Sequence, residues 1–147
     1  MKIKILILLC VLFNTSSLFS QEVVIIKDSG IGDMSIRIKE SGFGNISVQF
    51  KNSGFGDFSV RVTNNKLEAD YVIKHSGIGD RSVRIKESGF GDIDILIKKS
   101  GFADVTILTK ESGSVDFLIY SEKECLSKSE IVAALINVIK EKAKYKD

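Results

Sequence analysis

The chain has 147 residues, 44% of them apolar, and a formal net charge of +2. Lys2 and Lys4 are the only charged residues among the first twenty, so the remainder carries 19 basic and 19 acidic side chains. This neutral balance excludes a global attraction to nucleic acid or another polyanion, and the length suits one domain.

The first predicted element is a secretory signal peptide at residues 1–20. Two lysines precede an apolar run at Ile5–Phe13, and small serines precede an expected cut between Ser20 and Gln21. The run is shorter than the roughly 20 apolar residues of a membrane-spanning helix. We therefore expect a secreted protein, placed in the periplasm, at the outer surface or outside the cell.

A repeat of about twelve residues dominates the rest of the chain and predicts a β-repeat domain at residues 21–122. Each unit is a glycine-rich turn with one acidic or amide residue, followed by apolar and polar residues in strict alternation. Alternation of this kind, rich in β-branched residues, is typical of a half-buried strand. The turn residues are Asp33, Asn45, Asp57, Asp70, Asp80, Asp92, Asp104 and Asp116.

The turn itself contributes a large apolar residue, usually between two glycines. We expect this side chain to turn inward and fill a corner of the core, while the glycines permit positive φ and the turn acid bonds amides of its own bend. The repeat is interrupted once, at "NNKLEAD". The apolar turn residues are Ile31, Phe43, Phe55, Ile78, Phe90 and Phe102.

Two all-β architectures fit these units. In a compact parallel β-coil, similar to a solenoid, every turn is a corner; in an antiparallel meander, every turn is a hairpin. Hairpins favour Asn-Gly or Asp-Gly loops, which the turns lack, so the pattern favours the coil.

The last predicted element is a C-terminal capping helix at residues 127–145. Ser127 and Glu130 have the spacing of a capping box, and apolar residues follow at helical intervals. Leu96, Leu108 and Tyr120 replace basic or polar residues on the outward strand face and need a cover. We expect the helix to pack on the end of the sheet and supply it.

Residues with chemical potential are few. The glycines are not followed by the helix and third glycine of a dinucleotide loop, so no cofactor is expected. One turn carboxylate per repeat is too few for calcium, which takes six or more oxygens. His75, at the interruption, has no convergent partners, and Cys125 is expected to be buried beside the helix. The pattern predicts a protein that is not an enzyme, with no catalytic residue and no metal.

The polar strand face carries rows of serine, arginine and lysine, typical of a solvated surface. It leaves an envelope glycan or protein as the candidate partner. A monomer is favoured over a fibre, because a helix that caps the sheet opposes open polymerisation.

The stretches "SGFADVTIL" (100–108) and "LEADYVIK" (67–74) resemble the septoil-knot family of exported bacterial short β-repeat proteins. The resemblance covers residues 22 to about 120 and implies a coiled, knotted path with no established activity. A weaker likeness, through "SGFGNISVQF" (41–50), is to curlins, the subunits of bacterial amyloid fibres. We expect an exported, non-enzymatic β-repeat protein with a structural or binding role at the cell envelope, with a curlin-like fibre or extracellular-matrix subunit as the alternative.

Overall fold

The computed structural model describes residues 20–144, so the expected signal peptide lies outside the described residues apart from Ser20. The described part forms nine strands, one short 3₁₀ helix at Lys66–Glu68, and two helical segments, α1 (Lys128–Ala134) and α2 (Ile136–Lys144). The strands are β1 (Glu22–Lys27), β2 (Met34–Lys39), β3 (Ile46–Lys51), β4 (Phe58–Val62), β5 (Tyr71–Lys74), β6 (Arg81–Lys86), β7 (Ile93–Lys98), β8 (Val105–Thr109) and β9 (Phe117–Ser121).

The nine strands form one closed barrel in which every pairing is parallel. Their order around the barrel is β1-β5-β9-β4-β8-β3-β7-β2-β6, and β6 pairs again with β1. The predicted all-β parallel arrangement is confirmed, and the antiparallel meander is wrong. Strands that follow each other in sequence are never neighbours; each is separated from the next by one intervening strand.

The register shows that the barrel is wide. The first residue of a strand usually lies opposite the third residue of the repeat on its neighbour, as Met34 lies opposite Val83. Only β1 and β5 pair without this offset, with Glu22 opposite Tyr71. The offsets give a shear of about 16 residues and a backbone radius of roughly 11 Å, enough to enclose a helix. They also keep equivalent residues of neighbouring strands at one level of the barrel.

The predicted alternation is visible as a ring of nine side chains at the middle of the barrel wall. Each lies three residues after the turn position of its repeat and is no more than 1% exposed. The ring consists of Val24, Ile36, Val48, Val60, Ile73, Val83, Ile95, Ile107 and Ile119.

The C-terminal helix fills the barrel instead of covering its end. Every residue from Ile131 to Ile136 is buried. Because successive helical residues point about 100° apart, six buried neighbours require protein on all sides, and the closed sheet provides it. The capping box of Ser127 and Glu130 is confirmed. The expected position on the end of the sheet is wrong, because the sequence pattern does not reveal a lumen wide enough for a helix.

Each connection between consecutive strands passes outside the barrel, over the intervening strand. A Cβ at Gly44 would lie 3.0 Å from the backbone nitrogen of Leu96 in β7, and one at Gly91 would lie 2.9 Å from that of Arg37 in β2. The second glycine of the turn is therefore needed for close approach. The connections also cover part of the outward apolar stripe, a role that the sequence assigned to the helix. Leu96 and Leu108 are half-buried beneath them.

Candidate functional site

The eight turn residues act between distant parts of the chain. Each side chain accepts a hydrogen bond, 2.6–2.8 Å long, from the backbone N–H of the second residue of a neighbouring strand, not from its own bend as the sequence suggested. The pairs are Asp33–Ser82, Asn45–Asp94, Asp57–Thr106, Asp70–Leu118, Asp80–Val23, Asp92–Ser35, Asp104–Ser47 and Asp116–Ser59.

At Asp33 and Asp92 these bonds favour the ionised carboxylate. The backbone N–H of Ser82, together with its hydroxyl, lowers the pKa of Asp33, and Ser35 lowers the pKa of Asp92 in the same way. Each acid thus takes the place of a main-chain carbonyl at the start of a strand ladder. Within residues 20–144, no group of three or more His, Cys, Asp or Glu side chains is arranged to hold a metal ion.

The apolar turn residues, expected inside, lie almost wholly in solvent. The connection runs outside the wall, and its second glycine occupies the space next to the crossed strand, so the side chain at the tip points away. We call these side chains the apex belt; all are at least 90% exposed, and Leu67 joins them from the interrupted repeat. The belt comprises Ile31, Phe43, Phe55, Leu67, Ile78, Phe90 and Phe102.

A lysine is held at the base of many of these turns. A lysine at the end of a strand, or directly after it, donates from Nζ to the carbonyl oxygen at the tip, four residues later. This contact satisfies the carbonyl and places a positive charge just behind the apolar side chain. The pairs are Lys27–Ile31, Lys39–Phe43, Lys86–Phe90, Lys98–Phe102 and, at the tip that lacks a large apolar residue, Lys110–Ser114.

The barrel topology brings the four phenylalanines of the belt together. The turns of Phe43, Phe55 and Phe90 cross β7, β8 and β2, as the contacts of Gly44, Gly56 and Gly91 show. The turn of Phe102 crosses β3, to which Asp104 is bonded through Ser47. These four strands are consecutive around the barrel, in the order β8-β3-β7-β2. We call this side of the belt the phenylalanine arc.

The opposite side of the belt is less apolar. The turns of Leu67 and Ile78 cross β9 and β1, which flank β5, and none of the eight connections between the described strands crosses β5. A serine, Ser114, occupies the tip that crosses β4. Sequence reasoning identified the apolar turn residues but placed them inside. The flanking glycines were the available signal of an outside path, since they mark close approach to another backbone.

A second polar cluster lies at the mouth of the barrel where the strands end. Nε2 of His75 lies 2.6 Å from Oε1 of Glu130, and Ser127 donates to the other carboxylate oxygen of Glu130. Burial raises the pKa of Glu130, but the Ser127 N–H, His75, the Ser127 hydroxyl and Lys123 outweigh it and lower the pKa to about 2. His75 thus has a partner after all, and the cluster ties the first turn of the helix to β5.

An open cleft of about 550 Å³ lies beside this cluster, lined by acids and lysines that include Asp28, Glu87 and Lys86. Cys125 is exposed near the same mouth, so its expected burial is wrong. Two arginines of the outer strand face donate to carbonyl oxygens of the connections, Arg37 to Gly89 and Arg61 to Gly113. This face is therefore partly occupied by the protein itself.

No family model matches this chain, and no curated protein matches it significantly. Within the described part, no helix is long and apolar enough to cross a membrane.

Proposed function

We propose that this chain is an exported, non-enzymatic β-repeat protein with a binding role at the cell envelope. In this proposal the barrel serves as a rigid scaffold, and the connections between its strands form the binding surface. The observation that carries this proposal is the apex belt. Its seven large apolar side chains are each at least 90% exposed, and exposed apolar surface of this extent usually marks an interaction site.

The path of the chain supports a more specific proposal, that this chain is a member of the septoil-knot family. Consecutive strands advance by two places around the barrel, so the chain makes nearly two laps and the second lap fits between the strands of the first. This path is compatible with the compact parallel coil predicted from the repeats. It agrees with the septoil-knot resemblance of the repeats, which supports membership of that family.

The fibre alternative receives less support. A curlin-like subunit needs free strand edges for another copy to extend, whereas each of the nine strands described has a partner on both sides. The lumen is filled by the helix, so the ends of the barrel offer no open stack of strands. A sample that stays monomeric in sedimentation and fails to bind an amyloid dye would remove the fibre alternative.

Fractionation of cells that express the full chain tests the main proposal. We expect a mature protein that begins at Gln21, identified by its mass, and that is recovered with the envelope. Recovery of the intact 147-residue chain in the cytoplasm would overturn the proposal.

A further inference from the structure

We propose that the phenylalanine arc docks on the surface of a lipid bilayer, an inference that rests on the envelope function proposed above. The arc presents Phe43, Phe55, Phe90 and Phe102, each 90–95% exposed, from four adjacent connections. Because equivalent residues share one level of the barrel, the arc presents its rings in one row. Neighbouring rings of this row can enter a flat surface together.

The separation of the rings favours lipid over a protein partner. Protein interfaces bury their strongest contacts in close-packed, shape-complementary patches. Here each ring stands alone at the tip of its own turn, and Gly42, Gly54 and Gly89 on the preceding position have open space around them. A fluid acyl layer accepts separate apolar side chains without a matching surface, as it does for the apolar face of an interfacial helix.

The lysines behind the rings suit the headgroup layer. Lys39 and Lys86 donate to the tip carbonyls of Phe43 and Phe90 at 2.8 and 2.6 Å, and Lys98 makes the same bond at Phe102. A tip carbonyl that entered the bilayer unpaired would carry a desolvation cost, which these bonds remove. The ammonium groups would then lie at the depth of lipid phosphates.

Three carboxylates on this side have partners on the barrel wall, and one of them, Asp94, also shares Lys39 with a tip carbonyl. Asp92 and Asp104 accept hydrogen bonds from Ser35 and Ser47 on the barrel wall. Asp94 is paired with Arg37 and, at 3.1 Å, with Lys39. Glu40 and Glu87 remain exposed beside their lysines, so the attraction should depend mainly on the apolar rings.

The test uses the exported protein, purified after expression of the full chain, and flotation with vesicles. One set of vesicles is pure phosphatidylcholine, and the other contains phosphatidylglycerol. We expect binding to both, with tighter binding to the anionic set. The double variant F43S/F102S should lower partitioning at least about tenfold, since two rings lose their burial.

The chain supplies a matched control on the far side of the belt. The variant L67S/I78S changes two apolar tips that are 92% and 93% exposed but lie off the arc, and we expect less than about a twofold effect on partitioning. The protein has no tryptophan. Phe102→Trp should therefore report a blue-shifted emission with vesicles, whereas Leu67→Trp should not shift.

The outcomes separate this inference from the function proposed above. Equal binding by wild type and F43S/F102S, or no vesicle binding by an envelope-recovered wild type, would overturn the lipid inference and leave the envelope role. A wild-type dimer that F43S/F102S converts to monomer would assign the arc to a second copy and also overturn it. Cytoplasmic recovery of the full chain would overturn the envelope role itself.

Discussion

A turn acid in this barrel fixes a crossing connection to a strand that is far away in sequence. Asp116 illustrates the arrangement: one carboxylate oxygen accepts from both the backbone N–H and the hydroxyl of Ser59, at 2.7 and 2.9 Å. The Ser59 side chain is on the outward face, yet the residue is only 7% exposed because the connection covers it. The acid therefore satisfies an amide that water does not reach easily.

Asp116→Ala should destabilise the fold by about 1–2 kcal/mol, because it leaves the Ser59 amide without an acceptor. Asp116→Asn is the matched control, since Asn45 performs the same task with an amide oxygen. The urea midpoints of the two variants give the comparison. A loss in the asparagine variant as large as in the alanine variant would show that charge, and not the hydrogen bond, is what matters.

The second glycine of the turn has a separate role, which is to clear the crossed strand. Gly91→Ala should cost about 1–3 kcal/mol, because its Cβ would lie 2.9 Å from the main-chain nitrogen of Arg37, which cannot move alone. Gly32→Ala, whose Cβ would lie 3.2 Å from the nearest backbone atoms, should cost less. Thermal unfolding of both variants measures the order, and a reversed order would contradict the crossing geometry.

At the scale of elements, the helix and the barrel depend on each other. The helix is interrupted at Leu135, and Arg81 of β6 donates to the carbonyl oxygens of Ala133 and Ala134 just before the interruption. Arg81 also pairs with Glu22 of β1. The wall thus supplies polar partners to the main chain of the helix inside an otherwise apolar lumen.

Small side chains at the middle of the helix let it fit between the walls. Ala134→Leu should destabilise the protein by about 1–3 kcal/mol, because Ala134 is fully buried and the wall must move to admit the larger side chain. Asn137→Leu, on an exposed position of the same helix, should leave the urea midpoint nearly unchanged. An unchanged urea midpoint for Ala134→Leu would argue against a helix that is enclosed on all sides.

The hydrogen bond between His75 and Glu130 joins the helix to the mouth of the barrel and makes the stability of the fold depend on pH. The pKa of Glu130 falls from 4.5 to about 2 on folding, so its stabilisation is complete above about pH 4.5 and is lost as the pH falls towards 2. Glu130→Gln should remove roughly 2–3 kcal/mol at neutral pH and flatten the dependence within that window. Urea midpoints measured from pH 7 to pH 2 test this, with the exposed Glu122→Gln as control; equal slopes in all three proteins would refute it.

At the scale of the whole molecule, the barrel is closed by pairing between strands that are distant in the sequence. Every pairing joins strands that are four or five places apart along the chain, so loop closure must precede every pairing. Folds dominated by such contacts form slowly. The helix inside can leave only if the wall opens, which makes wall and helix one cooperative unit.

Hydrogen exchange should show this unit directly. The amides of Ala134 and Ile139, which are hydrogen-bonded within the enclosed helix, should exchange only by global unfolding. Their exchange should be as slow as that of the amides at the middle of the barrel strands. The amides of the exposed last turn, Glu141–Lys144, should exchange faster through fraying. Fast exchange at Ala134 with protected strands would mean that the helix can leave the intact barrel.

Sequence patterns predicted what depends on neighbours in the chain. Alternation gave the strands and their buried face, and the capping box gave the start of the helix. These local patterns could not reveal that the sheet closes into a barrel, or that neighbouring strands pair with a two-residue offset. Both features arise from pairing between distant repeats. The apex residues and Cys125 were misplaced for the same reason: apolarity favours burial, but the outside path of the connections and the filled lumen leave no interior space for them.

The interrupted repeat leads into β5, the strand that pairs with β1 without an offset. This β1–β5 pairing is the seam at which the second lap of the chain meets the first. An open solenoid can gain or lose a unit at either end and keep all its other contacts. Here an added strand would find no free edge and could enter the closed barrel only by breaking an existing pairing. Closure therefore makes the number of repeats a property of the whole barrel, whereas each unit of an open solenoid depends only on its neighbours.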